Sequence, residues 1–494
     1  MENLIVVDVG TSSIRGIIYN REGSPLFSSQ SVYTPDYISD TVVEQPPSSF
    51  LHALIEILRR CAVFFKQHKE EPVGISITAQ RSSFIPINKN GEPVRNTIMW
   101  QDRRSASICA RLKNSEDFIY KKTGLRLSPV PLAPKITWYI ENEPNLDNVT
   151  YKYMTIVDYL NFKMTGEYKT DYTYGSRTLL MNIHTLDWDK ELLKLFGISK
   201  EKMCELIPQN SIIGRLTKDF ASLVGLKEGL PVISAGGDQQ CSTLGTGCIH
   251  HADTQITIGT GSYITVTSNT VILDSKAKTI CSVSSVPGKY VLEASVLTGA
   301  GTYNWYHRTF YPENSDYETM NSDAASSLPG SNHLILLPHF QGKGSPDWNP
   351  NAKGVFYGVH TGCTRGDFAR AILEGIAAEL KDNLTILEQY TDKIASVHIS
   401  GGLTKCELFN EIQADMYNLP LLRSSNAEST ALGACISGLA ALRLYSSMEE
   451  ALLQVQKNDT IKIYFPNTNN KKLYEEFLEN RTLLYHSLYP EDSQ

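Results

Sequence analysis

Asp8-Val9-Gly10-Thr11-Ser12-Ser13-Ile14-Arg15 sits between two short apolar runs, Leu4-Ile5-Val6-Val7 and Ile17-Ile18-Tyr19. Half a chain away the same grammar returns: Gln255-Ile256-Thr257-Ile258, then Gly259-Thr260-Gly261-Ser262, then Tyr263-Ile264-Thr265-Val266. The flanks are β-branched or alternating and each centre joins glycine to hydroxyl residues, so each stretch reads as a β-hairpin. Glycine lets backbone N–H groups come close to an anion, and Thr and Ser hydroxyls donate further hydrogen bonds. Such a turn is also an ordinary tight hairpin when it stands alone. Its repetition, one copy opening each half, points to two facing phosphate clamps and a nucleotide held between related domains. A strand follows each turn, and no G-x-x-x-x-G-K-[ST] or G-x-G-x-x-G stretch occurs, so a P-loop and a Rossmann site are both set aside.

The chain has 494 residues, enough for two or three domains with sizeable cores. A hydrophobic share of 41% and a charged share of 20% are those of an ordinary globular protein. The net charge of −7 gives no general attraction for nucleic acid or anionic membranes. Nine cysteines, with no C-x-x-C pair, read as reduced thiols rather than a disulfide framework or a zinc site. The N-terminus lacks the basic start and apolar core of a signal peptide, and Ala431 to Leu442 is too short to span a bilayer. These features lead us to expect a cytoplasmic protein, with that last run a buried helix.

Apolar spacing predicts a helix from Pro46 to Phe65, capped by Ser48 or Ser49, and another from about Asp367 to Gln389. Short strands end in polar or glycine-rich groups: Val73–Ile77 before Gln80-Arg81, Pro231–Ala235 before Gly236-Gly237-Asp238-Gln239, and Ser396–Ser400 before Gly401-Gly402. Open α/β sheets bind ligands at such carboxyl ends. The Gly/Thr/His-rich stretch between Gly245 and Asp253 marks the domain boundary.

Asp238 is the first catalytic candidate. In-line phosphoryl transfer needs a group to take the proton of the attacking hydroxyl, and a carboxylate at a strand end can do so. An Asp in this position also serves as a plain helix N-cap. Asp8, next to the first turn, suits a mainly water-mediated Mg²⁺ site, or caps its own turn. Gln80-Arg81 and Trp100-Gln101-Asp102-Arg103-Arg104 offer hydroxyl partners and an apolar face for a polyol, although part of the arginine pair reads equally as a surface charge run.

These motifs resemble the FGGY family of carbohydrate kinases over nearly the whole chain. Gly354-Val355-Phe356-Tyr357-Gly358-Val359, continuing through Asp367-Phe368 to Ala371-Ile372-Leu373-Glu374, fits the family's long C-terminal signature. Asp171-Tyr172-Thr173, Ser176-Arg177-Thr178 and Asn182 to Asp189 are similar to glycerol kinases, as are Trp100 to Arg104 and Gly237-Asp238-Gln239-Gln240. The N-terminal signature is matched only in part, at Lys135-Ile136-Thr137-Trp138 and Glu141-Asn142.

The resemblance implies an α/β fold of two actin-like, ribonuclease H-like ATPase domains with the active site in the cleft between them. We expect residues 1–247 to carry the sugar site and the base, and residues 248–494 the nucleotide site. It implies Asp238 as general base and, with Asp8, as the metal partner. The ATP phosphates would meet Thr11, Ser12, Ser13 and Arg15 from one side and Thr260 and Gly261 from the other. The adenosine would lie near Gly299, Ala300, Gly301, Asn304, Gly401, Gly402 and Cys406. Ala300 and Cys406 depart from the glycine and asparagine of glycerol kinases.

Substrate contacts are expected from Gln80, Arg81, Ser82, Trp100, Asp102, Val130 and Gln239. Glycerol kinases carry a glutamate where Ser82 stands and a tyrosine where Val130 stands. Losing both removes two hydroxyl partners, and such polar contacts dominate discrimination. Pro131-Leu132-Ala133-Pro134-Lys135 looks more like xylulokinases and gluconokinases. The expected activity is ATP- and Mg²⁺-dependent phosphorylation of a small sugar, ketose or polyol by a monomer or homodimer without nucleic-acid or membrane partners. Glycerol kinase and a non-catalytic nucleotide-dependent regulator on the same scaffold stay open.

Overall fold

The computed structural model describes residues 2–426, 428–457 and 459–490. Among its helices are α1 (Pro47–His68), α2 (Leu132–Asn142), α3 (Asp238–Gly245), α4 (Ala300–Phe310), α5 (Arg365–Glu388) and α6 (Ser429–Ala441).

The first sheet is built from β1 (Asn3–Val9), β2 (Ser13–Tyr19), β3 (Pro25–Val32), β4 (Pro72–Ala79), β5 (Ser211–Arg215) and β6 (Pro231–Gly237), in the order β5-β6-β4-β1-β2-β3. β1 and β2 form the expected hairpin, with Asp8 opposite Arg15, and β4 runs parallel to both β1 and β6. Alternate residues of β1 feed two cores. Ile5, Val7 and Val9 pack with Phe50, Leu54 and Ile57 of α1, while Leu4 and Val6 pack with Leu432, Cys435, Ile436 and Leu439 of α6. A strand covered on both faces must be continuously apolar, as the run Leu4 to Val7 is.

The second sheet comprises β7 (Thr254–Ile258), β8 (Ser262–Ser268), β9 (Ile280–Val283), β10 (Tyr290–Val296), β11 (Val397–Ser400), β12 (Leu421–Ser424) and β13 (Ile461–Tyr464), ordered β9-β10-β8-β7-β11-β12-β13. Its centre repeats the first. A hairpin opens it, the next strand continues antiparallel, and β11 and β12 run parallel to β7. Thr364 and Asp367 close a reciprocal cap at the start of α5, whose Ile372, Leu373 and Ile376 are fully buried in this half's core.

Two details differ from the sequence expectation. α1 begins at Pro47 with Pro46 in the capping position and no side-chain cap, so Ser48 and Ser49 lie inside its first turn. Proline sets the helical φ and needs no N–H partner there, which makes the serine cap unnecessary. The run at 431–442 is buried as expected, but α6 belongs to the second half in sequence and covers the first sheet. It crosses α3 so closely that a Cβ on Gly433 would lie 1.8 Å from the Cys241 carbonyl oxygen, and one on Gly245 1.9 Å from that of Ser429. α3 is thereby clamped from the other half. No helix among the described residues is long and apolar enough to cross a membrane. All nine cysteines are free thiols.

Candidate active site

Asp238 is the first residue of α3, delivered by the end of β6. That end is braced from below. The Thr173 hydroxyl accepts the Gly237 amide at 2.9 Å, and the Tyr174 hydroxyl donates to the Gly236 carbonyl at 3.0 Å while accepting the Ala79 amide at 2.8 Å. Asp171, fully buried, accepts from the Thr173 amide and the Ser234 hydroxyl. One Asp238 oxygen, Oδ1, accepts the Gln239 amide at 2.8 Å and lies 3.3 Å from Arg81 Nε. Among the described residues the other oxygen, Oδ2, accepts no hydrogen bond. Burial pushes the Asp238 carboxyl above the usual range, against the opposing pull of Arg81. A pinned carboxylate with one free oxygen and raised basicity has the properties of a general base.

Asp8 stands at the neighbouring strand end. Burial, then the charge of Asp238, pushes its carboxyl up to about 7, with Arg15 opposing. Two carboxylates that repel each other inside a cleft form a donor set that a hard cation would relieve. The first turn is closed by the Gly10 amide to the Ser13 carbonyl at 2.9 Å, and the Tyr33 hydroxyl holds the Gly10 carbonyl at 2.8 Å. The Thr11 and Ser12 amides then have no backbone partner among the described residues, and Ser12 is exposed. Arg15 reaches across to Glu428 of the other half at 2.6 Å.

The second turn is one residue tighter. The Gly259 amide donates to the Gly261 carbonyl at 3.0 Å, and Thr260 is exposed at the tip. The start of α4 docks on it. The Gly299 and Gly301 amides donate to the Thr260 carbonyl, and the Ala300 amide to that of Gly259. Gly299 allows this approach, since a Cβ there would meet Ser262 Oγ at 2.2 Å. Gly401, at φ +97, would place a Cβ 2.5 Å from the Ile258 carbonyl oxygen, while Gly402 faces open space. The structure thus sets Gly299, Ala300 and Gly301 against the second turn and Gly401 against Ile258 at the end of β7, with Gly402 beside it. The amides of 299–301 are already used by the turn, so a ligand there meets backbone faces rather than those N–H groups. Asn304 is exposed, with its Oδ1 accepting from Tyr317, and Cys406 is a buried thiol at the head of Glu407–Tyr417.

On the opposite side, Trp100 joins its loop to the first turn by an indole N–H donated to Thr11 Oγ1 at 3.0 Å. Gln80 is buried, its amide nitrogen 3.4 Å from the Gly10 carbonyl. Ser82 is buried at φ +70. Val130 and Gln239 are half-buried. Lys135 of α2 donates to the carbonyls of Pro129, Val130 and Pro131, fixing that loop, and burial pushes its amine down to about 7. Asp102 has a different task from the expected substrate contact. It is fully buried, and its oxygens accept the Val43 amide at 2.7 Å and the Arg104 amide and guanidinium. Arg104 stacks over Trp138, and Arg103 is the exposed member of the pair. Asp102 therefore shapes the loop behind Trp100.

Two charged residues complete the site that strand-end reading did not single out. Glu293 in β10 pairs with Arg81 at 3.0 Å, and Arg177, beyond Thr173 and Tyr174, reaches the same Glu293 carboxylate at 3.5 Å. A lone carboxylate inside the apolar run Tyr290–Val296 was the available signal for Glu293.

With this geometry in view, comparison with known proteins decides the assignment. The model of the FGGY family of carbohydrate kinases matches residues 3–245 with its N-terminal domain and 254–442 with its C-terminal domain. The chain belongs to the FGGY family of carbohydrate kinases. A glycerol kinase of Shewanella sp. (strain ANA-3) is 31% identical over 490 residues, covering 95% of this chain and 97% of its own. A glycerol kinase of Pseudothermotoga lettingae is 31% identical over 454 residues, covering 88% and 89%. Among solved structures, ligand-bound xylulose kinase and gluconate kinase, both from Lactobacillus acidophilus, each superpose with a TM-score of 0.92 at 26% identity. They cover 99% of this chain and 99% and 98% of their own. This FGGY protein is an enzyme, a carbohydrate kinase that phosphorylates a sugar or polyol with ATP.

Proposed function

We propose that this kinase transfers the terminal phosphoryl group of ATP to a hydroxyl of a sugar, ketose or polyol longer than glycerol, with Asp238 as general base. The carrying observation is the Asp238 carboxylate, pinned through Oδ1 by Arg81 and the Gln239 amide while Oδ2 stays free. The hydroxyl proton passes to Oδ2 as its oxygen attacks in line. Arg81, Gln80, Gln239 and the Trp100 face hold the substrate, and Ser82 and Val130 leave room where glycerol kinases carry larger polar groups. Thr11, Ser12, Ser13 and Arg15 from one half, and Thr260 and Gly261 from the other, take the phosphates. Gly299–Gly301, Asn304, Gly401, Gly402 and Cys406 take the adenosine. Residues 1–247 and 248–494 are thus the sugar and nucleotide halves.

Asp8 and Asp238 would hold Mg²⁺, mainly through water, and their mutual repulsion is the feature such an ion fits. When bound, the ion neutralises charge developing on the phosphoryl oxygens. The nine free thiols accord with a cytoplasmic enzyme. The glycerol kinase reading is favoured by the names of the relatives at 31% identity and opposed by Ser82 and Val130.

Coupled ADP detection with tetroses, pentuloses, hexuloses, pentitols, gluconate and glycerol tests the proposal. A sugar or longer polyol is expected to give the highest kcat/KM, and glycerol in first place overturns the substrate assignment. With the best substrate, Asp238→Asn is expected to lower kcat by roughly 10²–10⁴-fold with thermal melting nearly unchanged. A variant keeping most of its turnover refutes the base.

A further inference from the structure

Glu293 is the one charged side chain of β10, otherwise Tyr290-Val291-Leu292 and Ala294-Ser295-Val296, and it is 4% exposed. Burying a carboxylate costs several kcal/mol unless donors surround it. Here they do, and most come from the other half. Arg81 Nη1 lies 3.0 Å from Oε1 and Nη2 3.5 Å from Oε2, Arg177 Nη1 3.5 Å from Oε2, and Gln240 Nε2 3.4 Å from Oε1. Only the Ser282 hydroxyl, donating at 2.6 Å, belongs to the same sheet.

Arg81 is shared between two carboxylates. Its outer Nη1/Nη2 edge faces Glu293, and its Nε faces Asp238 at 3.3 Å. A guanidinium is a planar fork, so fixing one edge fixes where the other points. Released from Glu293, the same fork could turn its paired nitrogens onto Asp238 and occupy both of its oxygens. Resting on the reading of Asp238 as base, we propose that Glu293 is a positioning residue. Supplied by the nucleotide half, it holds Arg81 turned so that Asp238 Oδ2 stays open to the substrate hydroxyl.

Burial raises the Glu293 carboxyl, but Arg81 and Arg177 outweigh it and hold it down at about 2, so Glu293 keeps its charge at every working pH. Arg177 reaches Glu293 while its own Nε is buried without a hydrogen-bond partner, so its fork is only partly satisfied. The arrangement also joins the halves, because β10 must sit against the ends of β4 and β6 for Arg81 to be held.

The test compares Glu293→Gln, Glu293→Asp, Arg81→Gln, the double variant Arg81→Gln/Glu293→Gln and Asp238→Asn, with the best acceptor from the panel and ATP varied separately. Glu293→Gln is expected to lower kcat about 10–100-fold, as a misplaced group near the reacting atoms does, with the KM for ATP within about twofold. Glu293→Asp keeps the charge and is expected to recover part of the loss. The double variant is expected to be no slower than Arg81→Gln alone, because both changes remove one function. A plain structural ion pair would instead lower the melting temperature and leave kcat in place. Turnover of Glu293→Gln within about twofold of the parent, beside an inactive Asp238→Asn, overturns this inference alone. An active Asp238→Asn overturns the base and this inference with it. Should Glu293→Gln not fold, Ser282→Ala removes only the 2.6 Å bond that steadies the carboxylate. It is expected to lower kcat about two- to fivefold, and unchanged turnover overturns the inference.

Discussion

The two halves share one strand arrangement and use it differently. In each, a hairpin turn opens the sheet and two parallel strands follow beside it. In the first half the strand ends carry charge: Asp8 and Arg15 flank the turn, Arg81 follows β4, and Asp238 follows β6. In the second half the ends matching the first turn and β4 carry small or neutral groups, while Glu428 follows β12 at the head of α6. Thr257 stands where Asp8 does, Tyr263 where Arg15 does, and Gly401-Gly402 follow β11 where Gln80-Arg81 follow β4. The charged ends can hold a cation and move a proton. The glycine ends let backbone approach a flat, uncharged ring system. On the proposed reading the duplicated scaffold is divided between chemistry and holding, and Glu428 on Arg15 and Glu293 on Arg81 send charge back across the cleft.

The sharpest way to break this comparison is to remove charge from one turn and its counterpart from the other. Asp8→Asn is expected to lower kcat by about 10²–10³-fold, the cost of losing one preorganised electrostatic group. Thr257→Val, which loses only a hydroxyl 3.2 Å from Ser400, is expected to stay within about fivefold. Equal losses would show that both turns do the same work. Steady-state kinetics at saturating ATP reads both.

The holding role is probed at Gly401. Alanine there combines a φ of +97 with a Cβ 2.5 Å from the Ile258 carbonyl oxygen. The expected strain is about 1–3 kcal/mol. The adenosine site should shift, raising the KM for ATP about tenfold while the KM for the sugar changes little. A rise confined to the sugar KM would reverse the assignment of the halves.

Within the sugar half, Ser82→Glu with Val130→Tyr restores the groups that glycerol kinases carry. The ratio of kcat/KM for glycerol over the best sugar is expected to rise roughly 10–100-fold. No change would mean that specificity is set elsewhere in the loop held by Lys135.

The smallest effect is on stability. In the folded protein Asp8 holds its proton up to about pH 7, whereas in the unfolded chain it ionises near its ordinary value of 3.8. Between those values the folded state binds more protons, so rising pH lowers stability, and above pH 7 the full penalty is present. In chelator-treated samples Asp8→Asn should therefore raise the melting temperature by about 3 °C at pH 8 and have little effect at pH 4. The uncharged second turn predicts no such dependence for Thr257→Val. Thermal melts across this pH range decide it.

The sequence alone determined a good deal. Both hairpins, the strand ends, the helix from about Asp367, the buried run at 431–442 and the family were legible, because each rests on local periodicity or on a motif a few residues long. Asp8, Arg81 and Asp238 were legible for the same reason, as polar groups at strand ends. The tertiary structure decided what joins the halves. Glu293 and Arg81 stand 212 residues apart, and no local pattern shows that they share a cleft. α6 lies late in the chain yet completes the first core, since its glycines let it press on α3 and β4. Asp102 looked like a substrate group because its motif is polar, but the fold gives its oxygens to Val43 and Arg104. Side-chain chemistry and period are written residue by residue, whereas which carboxylate remains free depends on every donor that folding brings beside it.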